Sequence, residues 1–140
     1  VGLVLYGAHE ETESNAVQST TSERSNKQSL TGQAVITMGA ISAGYGEWDV
    51  NGADGGADYS ANGYSIAFNV NDSLSVSYGV LEDTKQAVSA AALTSEITAY
   101  NIAYTMGSMA IKIKQTDTDN ANFSTAKTAE RTELAISFSF

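Results

Sequence analysis

The sequence predicts an all-β fold in which about eight antiparallel strands follow one another as a meander. Apolar and polar residues alternate with a period of two, as in Tyr64–Val70 and Leu74–Val80, and this pattern is typical of strands with one apolar face. Short connections rich in Gly, Asn and Asp alternate with long polar ones, which indicates hairpins. Proline would remove a donor from a strand ladder, and the chain has none.

Each strand is predicted from its own alternating segment. Residues 2–11 are apolar on both faces near their start, and residues 30–37 and 40–48 carry a thinner apolar face. Cleaner alternation predicts the later strands at 64–70, 74–80, 100–106, 109–114 and 133–140. Long polar connections are expected at about 12–29, 49–62, 82–95 and 117–128, all at one edge of the sheet. We expect residues 1–140 to form one domain.

The short turns predict the register of three hairpins, because a slip of one residue would turn every apolar side chain to the polar face. The expected pairs are Met106 with Met109 across Gly107-Ser108, Phe68 with Val76 across a three-residue turn centred on Asp72, and Ile36 with Ile41 across Met38-Gly39.

Composition excludes several kinds of function. The net charge of -9 argues against nucleic acid as a partner. The chain has no cysteine, so it has no disulfide, Cys-based metal site or thiol nucleophile. No stretch approaches the roughly 20 apolar residues of a transmembrane helix. The chain starts without a basic leader, in a segment typical of a strand, so we expect it to be mature or cut from something longer.

The apolar face is predicted to meet lipid, which makes the fold a transmembrane β-barrel. The opposite face carries small uncharged residues, whereas a soluble barrel would carry many Lys and Glu there. Aromatic residues lie at both ends of the apolar band, as in membrane girdles: Tyr45, Tyr64 and Tyr100 toward the long connections, and Tyr104, Phe138 and Phe140 toward the short turns. A soluble lipocalin-like binding barrel with the apolar face inside is the alternative.

Two segments resemble a known family. Gly63–Gly79 looks like a hairpin of the general porins of Gram-negative bacteria, particularly alphaproteobacteria, and Leu134–Phe140 is similar to their terminal strand. The resemblance implies a 16-stranded barrel, a homotrimer and an outer-membrane location in contact with lipid and lipopolysaccharide. It implies passive diffusion of small hydrophilic solutes and ions without a cofactor, and a role for Phe140 as the signal for barrel assembly.

The chain supplies about half of those strands, so we expect the C-terminal half of a larger barrel. Side chains must fill the interior of a closed eight-stranded barrel, and the inward residues here are mostly too small to do so. They suit the wall of a wide, water-filled channel better. A small closed outer-membrane barrel with a structural or adhesive role is the alternative.

Nine residues are predicted to line the pore: Gln33, Asn69, Ser75, Ser77, Asn101, Lys112, Lys114, Arg131 and Glu133. The register expected across 117–128 places Lys112 near Glu133 and Lys114 near Arg131. Such a charged ladder would act on permeating solutes, although a purely structural role for these pairs is compatible with it. Selectivity is expected from pore width and charge rather than from a binding pocket, and any constricting loop is expected outside this chain.

No catalytic residue or metal site is predicted. His9 lacks a nucleophile motif nearby, so we interpret it as a solvated side chain rather than part of an enzyme. The acidic connections have oxygen ligands of the kind that Ca²⁺ takes, and a weak cation site there is an alternative to simple solvation. Its residues would be Asp49, Asn51, Asp54 and Asp58, or Asp117 and Asp119.

Overall fold

Eight strands and one short 3-10 turn make up the fold. The computed structural model describes residues 1–12, 27–52, 56–87 and 89–139. The strands are β1 (Gly2–Thr12), β2 (Lys27–Met38), β3 (Ile41–Asn51), β4 (Asp58–Asn69), β5 (Leu74–Gln86), β6 (Leu93–Met106), β7 (Met109–Asp119) and β8 (Ala129–Phe138), and the 3-10 turn is Ala121–Phe123.

All eight strands belong to one antiparallel sheet in the order of the chain, which confirms the predicted all-β meander. Within the described ranges, β1 pairs with β2 and β8 with β7, and no ladder joins β1 to β8, so the sheet is open. The registers predicted for two hairpins are confirmed: Phe68 lies opposite Val76 and Met106 opposite Met109.

The strands are longer than predicted at the edge where the long connections lie, which we call the loop edge. β3 runs to Asn51 and β4 starts at Asp58, so most of the loop expected at 49–62 is strand. The loop expected at 82–95 shrinks in the same way to the residues between β5 and β6. Backbone ladders continue whatever the side chains are, and Thr84 and Thr94 are joined by a 2.8 Å hydroxyl hydrogen bond between paired strands.

The first short turn is Gly39-Ala40 rather than the predicted Met38-Gly39. Met38 therefore lies opposite Ile41, and Ile36 lies opposite Ala43 instead of Ile41. Gly39 has φ +60, as Gly107 has φ +59 at the same position of its own turn. Type II′ hairpin turns require glycine at the first central position, so this chemistry places Gly39 first in the turn.

The register between β7 and β8 also differs from the prediction, by two residues. Lys114 lies opposite Glu133 and Lys112 opposite Ala135, whereas Arg131 lies opposite Thr116. A shift of two residues keeps every side chain on its own face, so alternation in the sequence cannot detect it. The long β7–β8 connection gives no turn signal that would fix the register.

Residues that lie opposite one another on successive strands form rows across the sheet. These rows run obliquely to the edge that carries the short turns, which we call the turn edge. The row through Ile41, directly after the first turn, reaches Val76 two residues after the start of β5 and Ile113 four residues after the start of β7. Each strand is therefore shifted by one residue relative to its neighbour. With a rise of about 3.3 Å per residue and about 4.8 Å between strands, this shift corresponds to a strand tilt of about 35°. β-Barrels have strand tilts of about 35–45°.

The described residues form almost no core. Val50, Val80, Ala121 and Ser95 are buried, and no side chain is fully buried. Large apolar side chains such as Ile66 and Leu134, with 51% and 64% of their surface exposed, lie open on one face. A single layer of sheet cannot bury them, so a second layer of some kind has to cover this face.

Candidate functional site

The two faces of the sheet are the candidate functional surfaces of the molecule, and the registers assign every strand residue to one of them. We call the face that carries Ile66, Val76, Ile102 and Ile111 the apolar face. We call the opposite face, which carries Ser65, Ser77, Ala103 and Ala110, the small-residue face.

The apolar face changes character along the strands. Next to the turn edge it carries a continuous apolar band, for example Leu74, Val76, Tyr78 and Val80 in β5. Beyond the band the same face of the same strand carries Glu82. Equivalent acidic residues follow the band on other strands, at Glu11, Glu47, Asp49, Asp58, Glu96, Asp117, Asp119 and Glu130.

The positive strand residues are segregated from these carboxylates. Every Lys and Arg of the described strands lies on the small-residue face: Lys27, Lys85, Lys112, Lys114 and Arg131. Three strand carboxylates share that face, at Glu10, Asp83 and Glu133. The negative charge of the sheet therefore projects mainly from the apolar face near the loop edge.

Contacts at the strand glycines indicate that the small-residue face is concave. On this face a Cβ atom at Gly63 would lie 3.1 Å from the Val80 carbonyl oxygen, and one at Gly79 would lie 3.3 Å from that of Tyr64. On the apolar face a Cβ atom at Gly32 would meet nothing within 4 Å. Gly2, at the edge of the sheet on the small-residue face, also meets nothing within 4 Å, but the open space that reaches across the sheet from β2 to β7 lies on this face, so the small-residue face lies inside the curvature of the sheet. A trough of about 410 Å³ bordered by Gln33 and Lys114 lies along it.

All nine residues predicted to line a pore lie on the small-residue face. Several lie in one hydrogen-bonded row that crosses the sheet through Ser77, Asn101, Lys114 and Glu133. Within it, the Asn101 amide Nδ2 donates to Ser77 Oγ at 3.2 Å. Glu133 also forms an ion pair with Arg131, its neighbour on the same face, at 2.5 Å.

The predicted aromatic girdle residues that the structure describes all lie on the apolar face. Tyr45 is paired directly with Tyr64 at the end of the apolar band nearer the loop edge. Tyr78, which the sequence analysis did not include, is paired with Tyr100, and their ring centroids are 5.1 Å apart. Tyr104 and Phe138 lie near the turn edge, and Phe140 falls outside the described residues.

A second cluster, which sequence reasoning missed, lies on the small-residue face near the loop edge. We call it the aromatic cluster: Trp48, Tyr59, Lys85 and Phe123. The rings of Tyr59 and Phe123 meet edge to face with centroids 6.0 Å apart, and Lys85 Nζ lies 5.8 Å and 6.0 Å from the two centroids. The signal in the sequence was alternation: Trp48 and Tyr59 are large aromatic residues on the face that carries mainly small residues closer to the turn edge.

The β7–β8 connection brings Phe123 to this cluster by folding over the small-residue face. Ser95 Oγ donates to the Asp119 carbonyl oxygen at 3.1 Å, and Asn120 Nδ2 donates to the Thr94 carbonyl oxygen at 3.0 Å. From this anchor on β6, Phe123 reaches Tyr59 on β4. The sequence analysis treated 117–128 only as a long polar connection and did not predict that it folds over the sheet.

The remaining candidates do not come together in one site. His9 lies exposed on β1 opposite Leu30. Asp49, Asn51, Asp58, Asp117 and Asp119 lie in strands rather than in loops, and Asp54 falls outside the described residues. In the ranges that the structure describes, no three His, Cys, Asp or Glu side chains are close enough together to hold a metal ion.

Comparison with known proteins adds no relative: no family model, curated protein or solved structure matches the chain. Among the described residues, no helix is both long and apolar enough to cross a membrane. The chemistry of the two faces is therefore what indicates a function.

Proposed function

We propose that this protein forms the wall of an outer-membrane porin, a passive diffusion channel for small hydrophilic solutes and ions. The observation that carries the proposal is the pairing of an exposed, continuous apolar band on the outer, convex face with small polar residues on the concave one. In this proposal lipid covers the apolar face and water fills the concave side.

The limits of the apolar band support lipid over a soluble partner layer. The core of a soluble barrel would extend along the strands, but here the band gives way to Tyr45, Tyr64 and then carboxylates on strands that continue. Tyrosine rings favour the boundary between hydrocarbon and water. The band covers about 20 Å along β5, which is about 16 Å along the barrel axis at a strand tilt of about 35°. Known outer-membrane barrels have a band of about 25 Å, so in this proposal the bilayer thins around the protein to make up the difference.

The concave face supports an open channel over a filled barrel. Its central part carries Gly44, Gly63, Ser65, Gly79 and Ala99, and these residues leave a trough rather than a packed interior. The two edges of the open sheet present backbone donors and acceptors that must be paired in lipid. In our proposal further strands pair with β1 and β8 to close a wider barrel, and such barrels associate as trimers.

The same proposal assigns an environment to the charged residues on each face. The carboxylates beyond the tyrosine row would lie at the level of the outer-leaflet head groups, next to lipopolysaccharide. Lys112, Lys114, Arg131 and Glu133 would line the lumen and act on passing ions as fixed charges.

Conductance in planar bilayers tests the proposal. The purified protein should produce stable single-channel steps that grow in proportion to salt concentration, and proteoliposomes should admit small sugars but exclude large dextrans. A protein that inserts into liposomes yet gives no conductance would support a closed structural barrel instead. A protein that stays in solution without detergent would support the soluble binding barrel.

A further inference from the structure

We propose that the aromatic cluster is a binding site for a neutral sugar of one or two rings, held on the small-residue face next to the loop edge. The site goes beyond passive diffusion, because it would hold a solute at the loop-side mouth of the channel rather than only let it pass.

Two adjoining cavities give the site its room. One of about 470 Å³ is bordered by Trp48, Tyr59, Asp83 and Phe123. The other, of about 230 Å³, is bordered by Glu10 and Ser29, and Lys27, Trp48 and Val50 border both. Sites for small molecules have volumes of about 300–1,000 Å³ and combine aromatic walls with a few polar groups, as this groove does.

The aromatic rings supply flat surfaces for the apolar faces of a sugar ring. Trp48 and Tyr59 also have polar groups that can hydrogen-bond to hydroxyls at the rim. Lys85 occupies one side of the Tyr59 and Phe123 rings, so the indole of Trp48 is the ring surface with the most freedom to stack. With 38% of its surface exposed, Trp48 is accessible to a ligand.

The backbone around Phe123 is held in an uncommon conformation. Phe123 has φ +54, and Asn120, Asn122 and Ala126 in the same connection also have positive φ. A bulky residue rarely adopts this conformation, which is energetically unfavourable, and such residues concentrate at ligand sites. The Ser95 and Asn120 hydrogen bonds and a 2.7 Å bond from the Ala121 amide to the Lys127 carbonyl oxygen hold the connection in place.

Asp83 supplies an acceptor that has no hydrogen-bond partner among the described residues. Its Oδ1 atom is buried and accepts no hydrogen bond within the described chain. Buried acceptors normally have a donor, and leaving one unsatisfied is unfavourable. A sugar hydroxyl is a donor of suitable size, and Lys27 Nζ offers donors on the other side of the groove.

Charge balance argues for a neutral ligand. Among the described residues, the groove and its immediate border carry two carboxylates, Glu10 and Asp83, and two ammonium groups, Lys27 and Lys85. Their formal charges cancel, although the whole chain has a net charge of -9. A groove with no net charge gives no electrostatic preference for an anion or a cation.

Trp48 is the only tryptophan of the chain, so its fluorescence reports on the site alone. The protein is purified in dodecyldimethylamine oxide, a detergent without a sugar head group, and titrated with maltose, sucrose and trehalose. We expect at least one sugar to change the emission saturably and to protect Trp48 from acrylamide quenching. Equilibrium dialysis with the same labelled sugar gives the affinity independently of fluorescence.

Two variants and a matched control locate the binding. Asp83→Asn should weaken binding by about tenfold, since hydrogen bonds to charged groups are the stronger ones. Phe123→Leu, which keeps apolar volume but removes the ring, should weaken it by about threefold to tenfold. Glu82→Gln, next to Asp83 but on the apolar face, should leave the affinity unchanged.

Three results would overturn the site: none of the three sugars binds in either assay, the Glu82→Gln and Asp83→Asn variants bind alike, or phenylalanine binds in preference to sugar. The assays need no open channel. Conductance without sugar binding would therefore remove the site alone, and sugar binding without conductance would remove the channel and leave the site.

Discussion

On the same strands, the half of the sheet next to the turn edge differs from the half next to the loop edge. The two halves distribute large, apolar and charged side chains between the two faces in opposite ways. Near the turns, large apolar side chains lie on the convex face and small polar ones on the concave face. Near the loops, the convex face carries carboxylates, and the concave face carries Trp48, Tyr59 and Leu81. A period of two assigns residues to faces, but the position along the strand decides what each face meets.

The largest effect expected from this difference is on membrane insertion. Ile102→Arg places a charge in the apolar band, which costs about 2–4 kcal/mol near the bilayer midplane. Ala103→Arg changes the next residue of β6, on the concave face, where water would solvate the charge. Refolding into liposomes, measured by urea titration, should show the loss for Ile102→Arg alone. Equal losses in both variants would mean that the two faces do not differ in environment.

Glycine substitutions sharpen the contrast between concave and convex faces. A Cβ atom at Gly63 would press on the Val80 carbonyl oxygen, so Gly63→Ala should lower the free energy of unfolding by about 1–3 kcal/mol. Gly32→Ala meets open space and should raise that free energy by about 0.4–1 kcal/mol, because alanine restricts the unfolded chain. Urea titration of both variants checks the sign, and a stable Gly63→Ala protein would contradict the inferred curvature.

Asp83 makes stability near the loop edge depend on pH. Burial raises the pKa of its carboxyl, which lies beyond the apolar band. The folded state therefore holds the proton more tightly than the unfolded state, and stability falls as pH rises through the folded pKa. Asp83→Asn should melt at a higher temperature than the parent at pH 7. The difference should disappear at pH 3, below the ordinary carboxyl pKa of about 3.9.

A persistent difference at pH 3 between the Asp83→Asn variant and the parent would show that charge burial is not its cause. Asp49→Asn serves as the control, since its side chain lies on the other face, opposite Leu30 and Ser60, and its melting temperature should follow the parent at both values of pH.

The smallest effect expected is on ion selectivity in the turn half. Lys112 lies opposite Ala135 on the concave face, so Lys112→Glu should move the reversal potential toward cation preference. A screened lumen charge acts on an ion by a few tenths of a kcal/mol, so the permeability ratio should change roughly twofold. Glu130→Lys reverses a charge on the convex face of β8 and should change the ratio less. An unchanged ratio in Lys112→Glu would remove this residue from the ion path.

The turn half could be predicted closely from the sequence because two independent signals agree there. Alternation assigns the faces, and short turns with Gly107 or Asp72 fix the register. The turn predicted at Met38-Gly39 was wrong because glycine was placed second in the turn. Its positive φ is required at the first central position, so the turn is Gly39-Ala40. The two-residue error at Lys112 and Lys114 arises where a long connection replaces the turn signal and alternation permits either register.

The loop half was harder to predict because its strands lack an apolar stripe. Asp58–Asn62 and Glu82–Gln86 have the composition of loops, yet backbone ladders hold them as strands. Phe123 comes to Tyr59 from a connection that crosses β6 and β5, and no local pattern signals such a contact. The alternation that places Trp48 and Tyr59 on the concave face is present in the sequence. It could be used only once β3 and β4 were known to extend that far.

The lack of cysteine in the chain allows the central claim to be tested residue by residue. Single cysteines placed in turn from Thr94 to Met106 along β6 are spin-labelled in liposomes, and their collision rates with oxygen and with a water-soluble nickel complex are measured. We predict high oxygen access at Tyr100, Ile102 and Tyr104, high nickel access at Asn101 and Ala103, and loss of the oxygen signal at Thr94 and Glu96. Absence of the two-residue alternation, or oxygen access on the concave face, would contradict the account.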